Sequence, residues 1–298
     1  KLRIEWTYNS NAIEGNTLTL GETAFFLREG LTSEGKPLKD YLEAKNHAEA
    51  IDGLDDIVQK RRPLTESVIK ELHAVLLKDI EFTFARGGNR QIVKKPLNPG
   101  QYKMRPNHVL TLSGKIHYYA EPIHVKDEME KLLDWYNTSE NLHPVEKAAI
   151  FHYRFAAIHP FDDGNGRMAR LLMNLILIRS GYTVCIIKNA HRRKYLESLN
   201  MADENKDYEP FILFVAEELL QTMQVIFDVI KGKQPAQIYR EAKPMHREER
   251  ENLIIKTLRG KTLSIQQIHD ALPGIKRPTL KSDLNRLVAS GQIKKKGI

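Results

Sequence analysis

His159-Pro160-Phe161-Asp162-Asp163-Gly164-Asn165-Gly166-Arg167, with Arg170 three residues on, gathers the side chains needed for chemistry on a nucleotide triphosphate. Phosphoryl and nucleotidyl transfer ask a protein chiefly to position phosphates, neutralise their charge and remove one proton from the incoming hydroxyl. His159 suits the last task, because an imidazole of ordinary pKa, about 6.5, accepts a hydroxyl proton near neutral pH. Asp163 offers the hard anionic oxygen that Mg²⁺ takes singly or in pairs, its other ligands being waters and substrate phosphates. Gly164 and Gly166 can reach positive φ and lack a Cβ. Backbone N–H groups there can face a polyphosphate at the start of a helix, where the dipole favours anions. Asn165 lies between them as a neutral donor.

A helix must hold this loop. From Met168 to Ile178 the chain is apolar nearly all round, as a central buried helix would be, and Gly181 is placed to stop it. Arg167, Arg170 and Asn174 recur at i, i+3 and i+7 and so share one polar face that begins at the anion-binding end. A guanidinium buried without a partner costs several kcal/mol, so these two require a polyphosphate or a carboxylate. Competing patterns fail. A calcium loop needs alternating ligands and a closing Glu, and neither the Rossmann nor the Walker spacing is met. His152 shares a helical face with Val145, Ala148, Ala149 and Ala156 and reads as a packed core histidine.

Position for position, His159 to Arg170 resembles the signature HPFx(D/E)GNGRxxR of Fic domains, most of which transfer AMP from ATP to a hydroxyl of a target protein. The resemblance implies His159 as base, Asp163 as Mg²⁺ ligand, Asn165 on the α-phosphate, Arg167 near the β-phosphate and Arg170 on the γ-phosphate. Phe161 would anchor the loop in the core; Asp162 falls at the variable position and receives no role. Far upstream, Gly15 in Ser10-Asn11-Ala12-Ile13-Glu14-Gly15-Asn16 reads as a helix-ending residue, which leaves Glu14 where the dipole disfavours an acid and a cation is wanted. The segment resembles the inhibitory pattern (S/T)xxxE(G/N) of Fic proteins, matched here by Ser10, Glu14 and Gly15. It implies that Glu14 pairs with Arg170 and displaces the ATP γ-phosphate. Val109 to Tyr118, turning at Ser113-Gly114, reads as a β-hairpin. It resembles the Fic flap that clamps a target segment by strand addition, with Pro122 and a helix from Val125 to Tyr136 following.

The 298 residues are 41% hydrophobic, and no run of about eighteen apolar residues suggests a membrane partner. Cys185 is the only cysteine, and no signal-peptide pattern opens the chain, so the expected setting is a reducing cytoplasm. The formal charge of +8 gathers after about residue 231. Beyond a helix from Tyr208 to Ile230, Pro235 and Pro244 mark a linker. Then come a helix Glu248–Leu258, a capping box Ser264-Ile265-Gln266-Gln267, a third helix opened by Pro278 and ended before Gly291, and a strand Gln292–Lys296. This resembles a winged helix. Its third helix carries Lys276, Arg277, Thr279, Lys281 and Arg286, which can bind DNA phosphates; a protein-interaction or dimer role is the competing reading.

The expected fold is therefore all-α: a Fic-type bundle with a β-hairpin flap plus a small C-terminal winged-helix-like domain. The expected divisions are an N-terminal inhibitory segment 1–30, a catalytic domain 31–231 with its core at 100–200, a linker 232–245 and the small domain 246–298. The expected function is Mg²⁺-dependent AMP transfer from ATP to a Ser, Thr or Tyr hydroxyl, restrained by Glu14. Removal of AMP from a modified protein, or a nucleotide-sensing DNA-binding regulator, are the alternatives. Oligomeric state is left open, a homodimer included.

Overall fold

Helix starts in this chain follow its capping residues. In the computed structural model, which describes residues 2–86, 91–110, 116–205, 207–232, 247–260, 262–272, 275 and 277–294, Thr19 and Glu22 form a reciprocal capping box that opens α2 (Leu20–Glu29). Thr65 caps α4 (Glu66–Leu76), while Pro122 and Pro144 occupy first-turn positions of α5 (Pro122–Thr138) and α6 (Pro144–Ile158). Ahead of and between these run α1 (Leu2–Ile13) and α3 (Leu38–Gln59). Then follow α7 (Asn165–Arg179), a 3₁₀ turn at Asn189–His191, α8 (Arg192–Asn205) and α9 (Glu209–Ile230).

The chain divides into Lys1–Phe227 and Asp228–Ile298. In the first unit α7 is the central rod, packed against α6, α3, α4 and α1. Every residue from Arg167 to Leu177 is buried, among Phe151, Phe155, Phe161 and Phe211. Burying one such Leu is worth roughly 1.5–3 kcal/mol. The helix stops where Gly181 takes φ 84°. Trp6 and Ile13 of α1 belong to this same core, Trp6 lying edge-on to His47.

Among the described residues, two antiparallel hairpins interrupt the helices. One pairs β3 (Val109–Leu110) with β4 (Ile116–His117), and its turn at Ser113-Gly114 lies outside the described residues. The other, β1 (Phe82–Arg86) with β2 (Ile92–Pro96), was not anticipated, although alternating Phe82-Thr83-Phe84 before Gly87-Gly88-Asn89 is a legible hairpin signal.

Among the described residues, α9 alone is long and apolar enough to cross a membrane by length and composition. Its Phe211, Phe214, Val215 and Leu219 are instead built into the core, and its buried Glu218 accepts from the Lys188 amide and pairs with His191.

The second unit gathers α10 (Arg247–Leu258), α11 (Ile265–Ala271) and α12 (Arg277–Ala289) on a separate core that includes Ile254, Ile268, Leu280 and Leu287. Ser264 and Gln267 form the expected capping box. The expected strand at Gln292–Lys296 is absent over its described part, Gln292–Lys294. The amides of Gln292 and Ile293 both turn back to the Leu287 carbonyl, and Ile293 packs on the core, so they are not free to form a ladder. Arg286 is also not a free cation: it pairs with Glu251 (3.2 Å) and Asp283 (3.6 Å). Lys276 and nearly all of the 232–245 linker lie outside the described residues.

Candidate active site

α6 ends one residue before His159, which serves as its C-cap in the left-handed region (φ 52°, ψ 58°). Few non-glycine residues accept that conformation, so the surroundings must hold it. One ring N–H is engaged by the Ala156 carbonyl, leaving the other nitrogen as proton acceptor, and Tyr119 stacks on the ring at 3.8 Å. Burial, and then the nearby Lys103 cation, push the His159 pKa down to about 3. The imidazole is therefore neutral at physiological pH by environment, and not merely by the ordinary value the sequence suggests.

Phe161 is fully buried and stacks on His73 at 3.6 Å. His73 Nδ1 accepts from the Gly100 amide, so Nε2 carries the proton and donates to the Asp163 carbonyl (3.1 Å). Asn165 closes the loop: its Oδ1 accepts from the Phe161 amide (2.9 Å) and its Nδ2 donates to the Phe161 carbonyl (2.8 Å). One Nδ2 hydrogen remains for a ligand. Asp162 is not idle, since Lys95 Nζ of β2 lies 2.6 Å from it, a charge contact without hydrogen-bond alignment.

Burial raises the Asp163 pKa, but the Arg167 guanidinium, the Thr83 hydroxyl, the Gly164 amide and Lys39 outweigh it and hold the carboxyl below its usual range. Gly164 has the expected positive φ of 76° and is the N-cap of α7. Gly166 does not: it lies within the first helical turn. Its missing Cβ serves a close approach instead, because a Cβ there would collide with Glu14 Oε1.

Glu14 reaches that point from the end of α1. Gly15 (φ 97°) reverses the chain, with the Asn16 amide bonded to the Asn11 carbonyl and the Gly15 amide to that of Ala12. Arg170, with a side chain 3% exposed, meets Glu14 Oε1 at 2.7 Å, the Ser10 carbonyl at 2.8 Å and Ser10 Oγ at 3.0 Å. Arg167 meets Glu43 of α3 (3.3 Å), Asp163 (3.5 Å) and Asn11 (3.5 Å). Glu43, Asn11 and Thr83 were not anticipated. The sequence demanded anionic partners for two buried arginines, but nothing local marked Glu43. Tyr195 was missed too. Its hydroxyl links Arg170 Nη1 (3.4 Å) to His152 Nε2 (3.0 Å), so the buried His152 braces the second arginine as well as filling the core.

Neutral buried histidines make the fold acid-sensitive. Burial, reinforced by Arg170, lowers His152 to about 3, and His47 is pushed well below its ordinary value by burial and by Arg170, Arg167 and Arg3. With His159, and with His73, which burial lowers to about 4, four imidazoles bind a proton in the unfolded chain below about pH 6.5 that the native state refuses, so stability falls as pH drops through that value. Each contributes at most roughly 1.4 kcal/mol per pH unit, together about 5 to 6. Urea melts followed through Trp6 and Trp135 should show a clear loss between pH 7.5 and 5.5; an unchanged midpoint would show that these rings are charged in the native state.

Residues 63–177 match the Fic/DOC family. A Fic-domain-containing signaling protein from Bacteroides thetaiotaomicron superimposes with TM-score 0.70 at 37% identity, over 78% of this chain and 88% of its own. The chain belongs to the Fic/DOC family. A Fic family protein from Desulfovibrio desulfuricans aligns over 97% of this Fic chain and 79% of its own (TM-score 0.62, 26% identity). The protein adenylyltransferase Fic of Nematostella vectensis is 37% identical over 212 residues, 70% of this chain and 45% of that protein. The chain thus spans about half the length of the curated Fic relatives it matches.

Proposed function

We propose that this Fic chain transfers AMP from ATP to a Ser, Thr or Tyr hydroxyl of a protein, with Mg²⁺, and that its own Glu14 restrains it. The observation that carries the reading is the Glu14–Arg170 pair, which joins the two sequence motifs at 2.7 Å inside the phosphate-binding face. The name shared by the curated relatives, protein adenylyltransferase, supports the donor.

His159 takes the proton of the incoming hydroxyl, whose oxygen bonds to the α-phosphorus as pyrophosphate leaves. The Ala156 contact fixes which ring nitrogen accepts. Arg167, Arg170, the remaining Asn165 N–H and the amides opening α7 bind phosphate oxygens. An ionised Asp163 fits Mg²⁺, which needs only one or two carboxylates beside phosphates and waters; when bound, the ion neutralises charge shared by adjacent phosphates. Labelled ATP with Mg²⁺ and host lysate should mark protein targets, and Asp163→Ala should abolish that labelling. Retained Mg²⁺-dependent labelling would remove Asp163 from the metal role.

Arg277 and Lys281 are exposed cations of α12 that support a DNA contact through a winged-helix-like domain, whereas Arg286, also exposed, is paired with Glu251 and Asp283. DNA binding by the full chain should then fall steeply with salt, and Arg277→Ala with Lys281→Ala should flatten the slope. Binding indifferent to salt would favour a protein partner.

A further inference from the structure

The segment that feeds the β3–β4 hairpin also holds the loop that carries His159. Lys103 N–H donates to the Pro160 carbonyl (2.8 Å), while its Nζ donates to Asn107 Oδ1 (2.7 Å) and lies 3.5 Å from the Ile158 carbonyl. Asn107 Nδ2 donates to the Phe161 carbonyl (2.8 Å). The carbonyls on both sides of His159 are thereby gripped from residues 103–107, and β3 begins two residues later. At the hairpin's other end, Tyr119 follows β4 and lies on the imidazole, its amide donating to His108 Nδ1 (3.3 Å). Both arms of one hairpin therefore converge on the base.

This arrangement is costly unless it positions something. Lys103 is 2% exposed and, among the described residues, no carboxylate stands within ion-pair distance. Burial lowers its pKa to about 8. His159 meanwhile sits in a left-handed conformation of the kind that costs on the order of 1–3 kcal/mol and persists only where neighbours enforce it.

We propose that Lys103 and Asn107 are positioning residues that couple the hairpin to the base, so that a protein segment paired with the hairpin aims His159 at the target hydroxyl rather than at water. The inference rests on the adenylylation reading above. With either nucleophile, His159 takes the proton, the oxygen bonds to the α-phosphorus and the bond to the departing pyrophosphate breaks; protein-AMP or free AMP results. An arm held by target pairing favours the first. Without that pairing the loop loses alignment for a bulky nucleophile while remaining open to a small one, and misplacement of about 1 Å can cost 10²-fold.

The test uses the Glu14→Gly chain with labelled ATP and Mg²⁺, following label on its own chain and on lysate proteins alongside free AMP. Asn107→Ala should lower kcat for protein transfer at least about tenfold, with KM for ATP unchanged and free AMP undiminished. Lys103→Met should do the same and Lys103→Arg should not. Equal loss of protein transfer and free AMP, or a raised KM for ATP, would overturn the coupling and leave a structural role. NMR of the His159 ring gives a readout independent of turnover. The groups facing that ring are Lys103, Asp163, His117, Tyr119 and the Ala156 carbonyl. Lys103→Met removes a cation and should let the ring protonate at higher pH, Lys103→Arg should not, and Asn107→Ala should move its resonances. If Glu14→Gly neither transfers nor releases AMP, the adenylylation reading has failed; a His159 resonance unmoved by Asn107→Ala overturns the coupling by itself.

Discussion

Protein labelling by the Glu14→Gly chain should fall about 10²–10⁴-fold when His159 is replaced by alanine, the range attributed to general-base catalysis, while ATP affinity stays nearly constant. Two features sharpen the expectation. The ring is kept neutral by burial, with a pKa near 3, so its accepting form is fully populated at pH 7 and no activity is lost to protonation. The same shift makes it a weaker base than a free imidazole, so nucleotide and target binding must reorganise its surroundings for the full effect. The acidic limb of the pH–rate profile for kcat/KM should accordingly lie below pH 6.5. Because alanine tolerates φ 52° poorly, His159→Asn is the backbone control, asparagine being more at ease in that region. Equal loss of ATP binding and turnover in both variants would make His159 a structural residue.

Releasing the arginine should have the second-largest effect. Glu14 and the ATP γ-phosphate are anions that seek the same Arg170, so they compete. Glu14→Gly should raise transfer at least tenfold, corresponding to a bias of about 1.4 kcal/mol towards the restrained state. Arg170 is then left with the Ser10 and Tyr195 oxygens but no compensating charge. A buried cation in that condition is costly, so ATP should stabilise the variant against heat more than it stabilises the parent, and ADP less. Adding Arg170→Ala should cancel both gains. If Glu14→Gly leaves transfer unchanged and instead abolishes AMP removal from a modified protein, Glu14 serves hydrolysis and the restrained-transferase reading fails.

The signature and the inhibitory pattern were legible because their chemistry is written in contiguous residue types. The α7 stripe of Arg167, Arg170 and Asn174 followed from helical periodicity alone. What the sequence concealed depends on tertiary approach. Glu43 lies 124 positions before its arginine and resembles any acid on a helix. Tyr195 looks like one more core aromatic until the helices bring it to Arg170. Gly166 was misread for the opposite reason: its place beside Gly164 suggested a shared backbone role, whereas the helix had already begun and the empty space was what mattered. The absence of a strand over Gln292–Lys294 shows a local pattern overruled by amides that found partners in the preceding helix.

Trp6 sits on α1, eight residues before Glu14, with its indole buried against the core, and Trp135 on α5 lies beside the Arg154 guanidinium. These are the only two tryptophans in the chain. With Trp135 changed to Phe, the molecule carries a single tryptophan, on its own brake, which can be excited apart from the tyrosines. A red shift on adding ATP would mean that the whole helix lifts into water, whereas a fixed emission maximum accompanied by activation would mean that the carboxylate alone swings aside. The fluorescence would thus distinguish a hinged brake from a side-chain latch without any label being attached.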